Sequence, residues 1–316
     1  MSSTVVPIST RARSSRSRAL PLYAAVVVGF MVLVILEGAV VRATGSGAGC
    51  GNHWPLCNGD FFPHHPRLAT VIEYTHRSMT GLCTTLVAIL IGWTFLARPR
   101  GDRARRAVVW SGILLITEAL LGALLVKGGY VESNASNMRV VMQCIHFTNT
   151  MLLLAAITLT WWWLRDRPRL SANLHPQART VAWISLIATL VVGGTGSVAA
   201  LADTLFPPTS LQAAFLQDFA AQSPLLVRMR WLHPATAVIA LSCAIWIALQ
   251  LRSKLGRLVV GLIGVQLLLG AADVLLLAPT WLQVLHLLGA DLYWIALVAA
   301  CATILAPAHA ASTATT

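Results

Sequence analysis

The sequence predicts an all-α integral membrane protein with eight transmembrane helices, arranged as two parallel-repeated four-helix bundles. Three observations predict it: the apolar content, the placement of basic residues, and an internal echo between the halves. Hydrophobic residues make up 57% of the 316-residue chain and charged residues only 11%. Soluble domains carry about a quarter charged residues, so most of this chain must face lipid or other helices. A net charge of +12 would suit nucleic acid. The Arg and Lys instead sit in short clusters between apolar runs, which excludes nucleic acid as a partner and leaves membrane lipid.

A hydrocarbon core takes about 20 apolar residues per helix. Runs of that kind lie at 20–41, 70–97, 106–127, 139–164, 180–201, 227–251, 257–278 and 281–305. The first follows Arg11, Arg13, Arg16 and Arg18, as a signal peptide would. Its apolar part, Leu20 to Val41, is too long for a signal segment and no small-residue cleavage site follows closely. It is expected to stay as the first helix. Sixteen of the 23 basic residues fall in the N-terminal tail and in the second-to-third, fourth-to-fifth and sixth-to-seventh connections. By the positive-inside rule that side is the cytoplasm, and an even number of spans puts both termini there. The expected organisation is a basic tail (1–19), an N-terminal bundle (20–164) with an outer loop (42–69), a cytoplasmic linker (165–179), a C-terminal bundle (180–305) and a cytoplasmic tail (306–316).

The echo runs through four places in the same order. Thr44-Gly45-Ser46 returns as Thr195-Gly196-Ser197, and His76 as His233. Glu118-Ala-Leu-Leu-Gly122-Ala123 returns as Gln266-Leu-Leu-Leu-Gly270-Ala271, and Gln143-Cys-Ile-His146 as Gln283-Val-Leu-His286. The offsets stay between 140 and 157 residues. Four helices per half is an even number, so the repeat is parallel. Transporters use such repeats too, and the repeat alone names no function.

Four of the six cysteines, Cys83, Cys144, Cys243 and Cys301, lie in apolar runs and read as packing residues. Cys50 and Cys57 share a Gly-rich outer loop. Thiols outside the cytoplasm oxidise readily, so a disulfide is the preferred state. A metal site is the rival, because His53, His64 and His65 share that loop, although the arrangement fits no standard zinc spacing.

Of nine histidines, His53, His64, His65, His175 and His309 lie in loops or tails. His76, His146, His233 and His286 lie in helices 2, 4, 6 and 8, within about seven residues of the outer ends, which is roughly 10 Å deep at about 1.5 Å per residue. One buried histidine is usually a satisfied core residue. Four at one depth, paired by the repeat, point to ligands, because ionisable groups inside a membrane are functional by default. Zinc or copper would want further ligands. Two imidazoles on opposite faces of one flat ring suit haem held in a bundle core. Gln143 and Gln283 share a helix face with their histidines and can line the cavity. Arg42, Arg77, Arg139, Arg228 and Arg230 lie near the outer ends, as haem propionates require, though interfacial snorkelling accounts for them equally well. Glu37, Glu73 and Glu118 all belong to the first half. Arg230 stands where Glu73 would fall in the second half, and Gln266 where Glu118 would. The first half is therefore expected to react and move protons, and the second to carry electrons.

The stretches Glu37-Gly-Ala-Val-Val-Arg42-Ala-Thr-Gly-Ser-Gly47, Cys50-Gly-Asn-His-Trp-Pro-Leu-Cys57-Asn-Gly59 and Glu73-Tyr-Thr-His76-Arg77, with the two Gln-x-x-His pairs and His233-Pro234, resemble the haem A synthase family. The resemblance covers essentially the whole membrane region. It implies an inner-membrane oxidoreductase of cytochrome oxidase assembly that oxidises the C8 methyl of haem O to a formyl group by successive hydroxylations. It further implies that His76 and His146 flank substrate haem, that Glu73 is the catalytic acid, and that His233 and His286 hold a haem b. Cys50 and Cys57 match an outer pair associated with haem handling or electron transfer. The loop at 202–226 has no cysteine, which excludes any mechanism needing a second pair. The implied partners are haem O, handed over by a haem O synthase, an electron donor of undetermined class, and a second copy of the chain in a homo-oligomer. Two rivals stand beside this reading: a bis-histidine dihaem b-type electron carrier and a haem carrier or transporter. If both His76 and His146 ligate substrate iron, oxygen has no open position there, so either one ligand leaves or the methyl is oxidised without a ferryl at that iron.

Overall fold

The computed structural model describes residues 10–165 and 174–306, with side chains from Arg18 onward. The side chains of Arg11, Arg13 and Arg16, the residues Arg167 and Arg169, and the tail from 307 with His309 lie outside the described residues. Ten helices are present among those described: α1 (Thr10–Ala43), α2 (Leu68–Ala97), α3 (Arg103–Lys127), α4 (Asn137–Leu164), α5 (Ala178–Leu205), α6 (Leu211–Phe219), α7 (Leu225–Arg228), α8 (Leu232–Leu251), α9 (Lys254–Leu275) and α10 (Thr280–Leu305). There is no β-strand among the described residues, only an isolated bridge between Cys57 and Asp60. Eight spans are long and apolar enough to cross a membrane, with α7 and α8 forming one of them. Their ends lie within about four residues of the expected runs, because the sequence marks them with polar caps. Asp102, Ser136, Ser210 and Ser253 each accept a bond from a backbone N–H in the first turn of the helix that follows.

Two details depart from the sequence reading. The sixth run is broken at Met229–Trp231. Pro234 would clash with the carbonyl of Arg230 in a helix continuous from Leu225, so the chain makes a turn and restarts at Leu232. The outer loop at 202–226 also contains α6, whose Leu211, Phe215, Leu216 and Phe219 are exposed. The chain's polar groups here bind each other and leave those apolar side chains turned outward.

Helix neighbours fall into two closed sets. In the first half α1 packs on α2 and α4, and α3 packs on α2 and α4. In the second half α5 packs on α8 and α10, and α9 packs on α8 and α10. The sets meet through α1, α4, α5 and α10. The Trp294 indole N–H on α10 donates to the Met151 carbonyl on α4 at 2.8 Å, in a buried position. Arg42 at the end of α1 donates to the Ala200 carbonyl, to Thr204 Oγ1 on α5 and to Gln283 Oε1 on α10, at 2.6, 2.6 and 2.8 Å. One apolar core runs through both halves, from Leu20 on α1 to Ile304 on α10.

Candidate functional site

His76, His146, His233 and His286 lie eight, nine, eight and six residues beyond the starts of their spans. Each ring rests against a glycine of a neighbouring helix. A Cβ added to Gly38 on α1 would lie 3.1 Å from His76 Cε1, and one on Gly122 on α3 would lie 3.9 Å from His146 Cε1. A Cβ on Gly196 on α5 would lie 2.9 Å from His233 Cε1, and one on Gly270 on α9 would lie 3.1 Å from His286 Cε1. At Gly38, Gly196 and Gly270 a larger residue would crowd the imidazole between the helices, whereas a Cβ at Gly122 would make ordinary contact.

The His233 and His286 rings have centroids 6.2 Å apart and planes at 89°. With metal–imidazole bonds of about 2 Å, two rings on opposite sides of one iron have centroids about 6 Å apart. This pair therefore fits a bis-histidine haem. His146 lies within electrostatic reach of His76. The Nδ1 atoms of His76, His146 and His286 are buried without a hydrogen bond among the described residues, whereas His233 Nδ1 lies 3.2 Å from the Val192 carbonyl oxygen. An imidazole that ligates through Nε2 keeps its proton on Nδ1, so these environments decide how strongly each ring can bind a metal.

The acids nearest these rings are arranged differently. Glu118 on α3 accepts from Asn149 Nδ2 at 2.6 Å and from the Thr150 hydroxyl, and its Oε1 lies 3.5 Å from His146 Nδ1. Glu73 is turned the other way. Its Oε2 accepts the Cys50 backbone N–H at 2.7 Å, and its Oε1 takes both the Nε and an Nη of Arg77. Arg77 continues to the His53 and Leu56 carbonyls at 2.5 and 2.6 Å. The outer loop is thus clamped to α2 directly above the first pair of histidines. Its approach is close enough that only Gly49 fits, since a Cβ there would meet the Thr70 backbone nitrogen at 2.6 Å. Cys50 and Cys57 are buried beneath this clamp and joined as a disulfide. Glu37 is half-buried beside Gly38.

Of the five arginines expected near propionates, Arg228 is exposed, and the other four already have protein partners, because a buried guanidinium without them is costly. Arg77 serves the loop, and Arg42 bridges the halves. Arg139 donates to the Glu132 and Asn134 carbonyls and keeps a buried Nε without a partner. Arg230 binds Asp218 at 2.7 Å and Asp203 at 3.0 Å, which holds α6 down. Gln283 binds Arg42 and the Ala278 carbonyl, while Gln143 is half-buried. The expectation that buried acids belong to the first half alone does not hold. Asp291 on α10 is buried at 5% exposure, and Asp203 and Asp273 lie within electrostatic reach of Arg42.

A family model described as cytochrome oxidase assembly protein, COX15-CtaA, matches residues 21–298. The chain belongs to the COX15-CtaA family. A Thermus thermophilus protein named protoheme IX farnesyltransferase is 40% identical over 278 residues, which is 84% of this chain and 45% of that relative. The chain therefore spans less than half the length of that relative. Proteins named heme A synthase from Alkalihalophilus pseudofirmus (36% identical, 44% of each chain) and Exiguobacterium sibiricum (29% identical, 57% of this chain and 59% of the relative) are also similar.

Within this COX15-CtaA chain, the glycines beneath the imidazoles are the site residues that the sequence reading missed. A signal for them existed: Gly38 and Gly196 are 158 positions apart, close to the His76–His233 offset. The echo between Thr44-Gly45-Ser46 and Thr195-Gly196-Ser197 is out of register, because Gly45 lies in the turn after α1 with φ +64° while Gly196 lies inside α5. Gly196→Val is expected to push the His233 ring out of line with His286. If the pair holds haem, the haem copurifying with the variant should fall by about 10- to 100-fold, the usual cost of disturbing a ligand's support. Pyridine haemochrome quantitation reads this out, and full retention would mean that the glycine contact does not set the ring.

Proposed function

We propose that the chain is a haem A synthase, which oxidises the C8 methyl of haem O to a formyl group by successive hydroxylations. Substrate haem sits between His76 and His146 in the first bundle, and a haem b sits between His233 and His286 in the second. The observation that carries this reading is the facing His233 and His286 rings, with all four histidines set against glycines of neighbouring helices, in a chain whose relatives include proteins named heme A synthase. The helix neighbours and the glycine–histidine pairs support two parallel-repeated bundles related by an axis near the membrane normal. The basic clusters support cytoplasmic termini in a cell membrane.

When bound, the iron supplies the redox chemistry. The chain's own residues hold and orient it: the imidazoles fix the ring plane, the glycines fix the imidazoles, and the Cys50–Cys57 loop closes the outer face over the first site. Glu73 is the proton-handling residue in this reading. Both its oxygens are engaged, so it acts after the Cys50 or Arg77 bond loosens. The Thermus relative is more than twice as long as the region it shares with this chain and is named for farnesyl transfer to protohaem IX. That supports transfer of haem O directly from the enzyme that makes it. Each hydroxylation is balanced by dioxygen as oxidant with two electrons from a donor and two protons, one oxygen atom leaving as water, and the second hydroxylation gives a geminal diol that loses water to leave the formyl group.

With acids present in both halves, the case against a bare dihaem electron carrier rests on the relatives and not on acid asymmetry. Co-expression with a haem O source, followed by mass measurement of the extracted pigments, separates the readings. Haem A is expected, and only haem B with unchanged haem O would overturn the synthase reading. Glu73→Gln should retain haem while haem A falls to background. Continued haem A formation by that variant would remove Glu73 from proton handling.

A further inference from the structure

We infer that Glu118 makes His146 the fixed ligand of the first bundle and leaves His76 as the ligand that gives way, so the haem face toward His76 is the one that opens. The inference rests on the haem reading above and deepens it, taking the branch of that reading in which one of two apparently equivalent imidazoles leaves.

The two rings of the first pair are not equivalent. A metal-bound imidazole becomes a stronger ligand when its second nitrogen donates to a carboxylate, less so with a carbonyl, and least with no acceptor. His146 Nδ1 lies 3.5 Å from the Glu118 carboxylate, close enough for electrostatic support although no hydrogen bond is formed among the described residues. The carboxylate is held for this purpose from its other sides. Asn149 Nδ2 donates to Oε2 at 2.6 Å and also to the Leu114 carbonyl at 2.9 Å. Thr117 Oγ1 donates to Asn149 Oδ1 at 2.8 Å, and the Thr150 hydroxyl donates to Glu118 Oε1. Three polar side chains on α3 and α4 thus fix one acid beside one histidine.

His76 has no such support. Its Nδ1, like that of His146, is buried without a hydrogen bond among the described residues, and unlike His146 it has no carboxylate within 4 Å among them. Glu73, on the same helix and three residues earlier, is spent on Cys50 and Arg77. The second bundle provides an internal comparison. Gln266 occupies the place that echoes Glu118, with a buried Oε1 lacking a partner, and His286 Nδ1 likewise lacks one. His233 has only the Val192 carbonyl. Among the four imidazoles, His146 alone faces a carboxylate within 4 Å among the described residues. Opening therefore falls on the His76 side, beneath the clamped Cys50–Cys57 loop and beside Glu73, where proton handling is proposed.

The test uses the full-length chain in detergent, reconstituted with haem B, with carbon monoxide as the probe of an open iron position. His76→Gly should keep the first-bundle haem in high-spin form and bind carbon monoxide, while His146→Gly should lose most of that haem. Glu118→Gln should raise the midpoint potential of the first-bundle haem and leave the second unchanged, and Glu118→Asp should restore part of the shift. If Glu118→Gln does not fold, Gln266→Glu supplies the mirror case and should lower the midpoint potential of the second-bundle haem. Equal haem loss in the two histidine variants, or unmoved potentials in the variants that fold, would overturn the inference. A wild-type chain that takes up no haem would defeat the proposed function itself, which is a different result from haem bound with equivalent ligands.

Discussion

Arg77→Met is expected to free the outer loop from α2 and to cost about 3–5 kcal/mol, the usual loss when one partner of a buried ion pair is removed. Methionine keeps much of the stem packing, so the loss is electrostatic. Glu73, with a side chain only 4% exposed, would keep a single donor, the Cys50 N–H. The His53 and Leu56 carbonyls would lose theirs as well. Hydrogen exchange over residues 48–58 should accelerate strongly in the variant, and the thermal midpoint in detergent should drop. Pairing the change with Glu73→Gln should recover part of the stability, because the stranded charge is then gone. Unaltered exchange in that peptide would mean the loop is held by something other than this clamp.

Arg230→Met is expected to have the next largest effect, about 2–4 kcal/mol. The estimate is lowered because Asp203 and Asp218 have side chains about a fifth exposed, so water screens them in part. Both carboxylates would lose their cation, and α6 would lose its anchor to the second bundle. Cleavage by protease between residues 206 and 224 should appear in the variant under conditions where the parent chain resists. A variant as resistant as the parent would show that α6 is held by its apolar face alone. The two arginines occupy related places, one just after His76 and the other three residues before His233, and each ties an outer connection down over a pair of imidazoles.

The sequence made the spans legible because length and hydropathy decide them physically: about 20 apolar residues cannot be placed in water, and the caps mark where they stop. It made the histidines legible for the same reason, since a polar ring at one depth in four helices has no cheap explanation. Other features depend on where side chains turn, which spacing alone does not report. Glu73 and His76 share a helix face by spacing, yet Glu73 reaches outward to Cys50 because Arg77 and the loop offer it three donors. The acid asymmetry does not hold because Asp291 sits outside the echoed motifs, where only packing buries it. The Thr-Gly-Ser echo failed because three small residues recur readily in membrane helices, whereas Gly196 is set by the ring above it. Helix α6 was missed because nine residues between two spans give too short a window for periodicity.

The buried Trp294–Met151 bond and the reach of Arg42 into α5 and α10 bear on how a large flat guest could enter and leave. A carrier that opens alternately to either side of a membrane needs a seam along which its halves rock. Here the seam is bolted at its outer end by a guanidinium and along its length by an indole, and α10 is the most enclosed of the eight spans. Rocking would strand several buried donors and acceptors at once. The central seam would then stay shut.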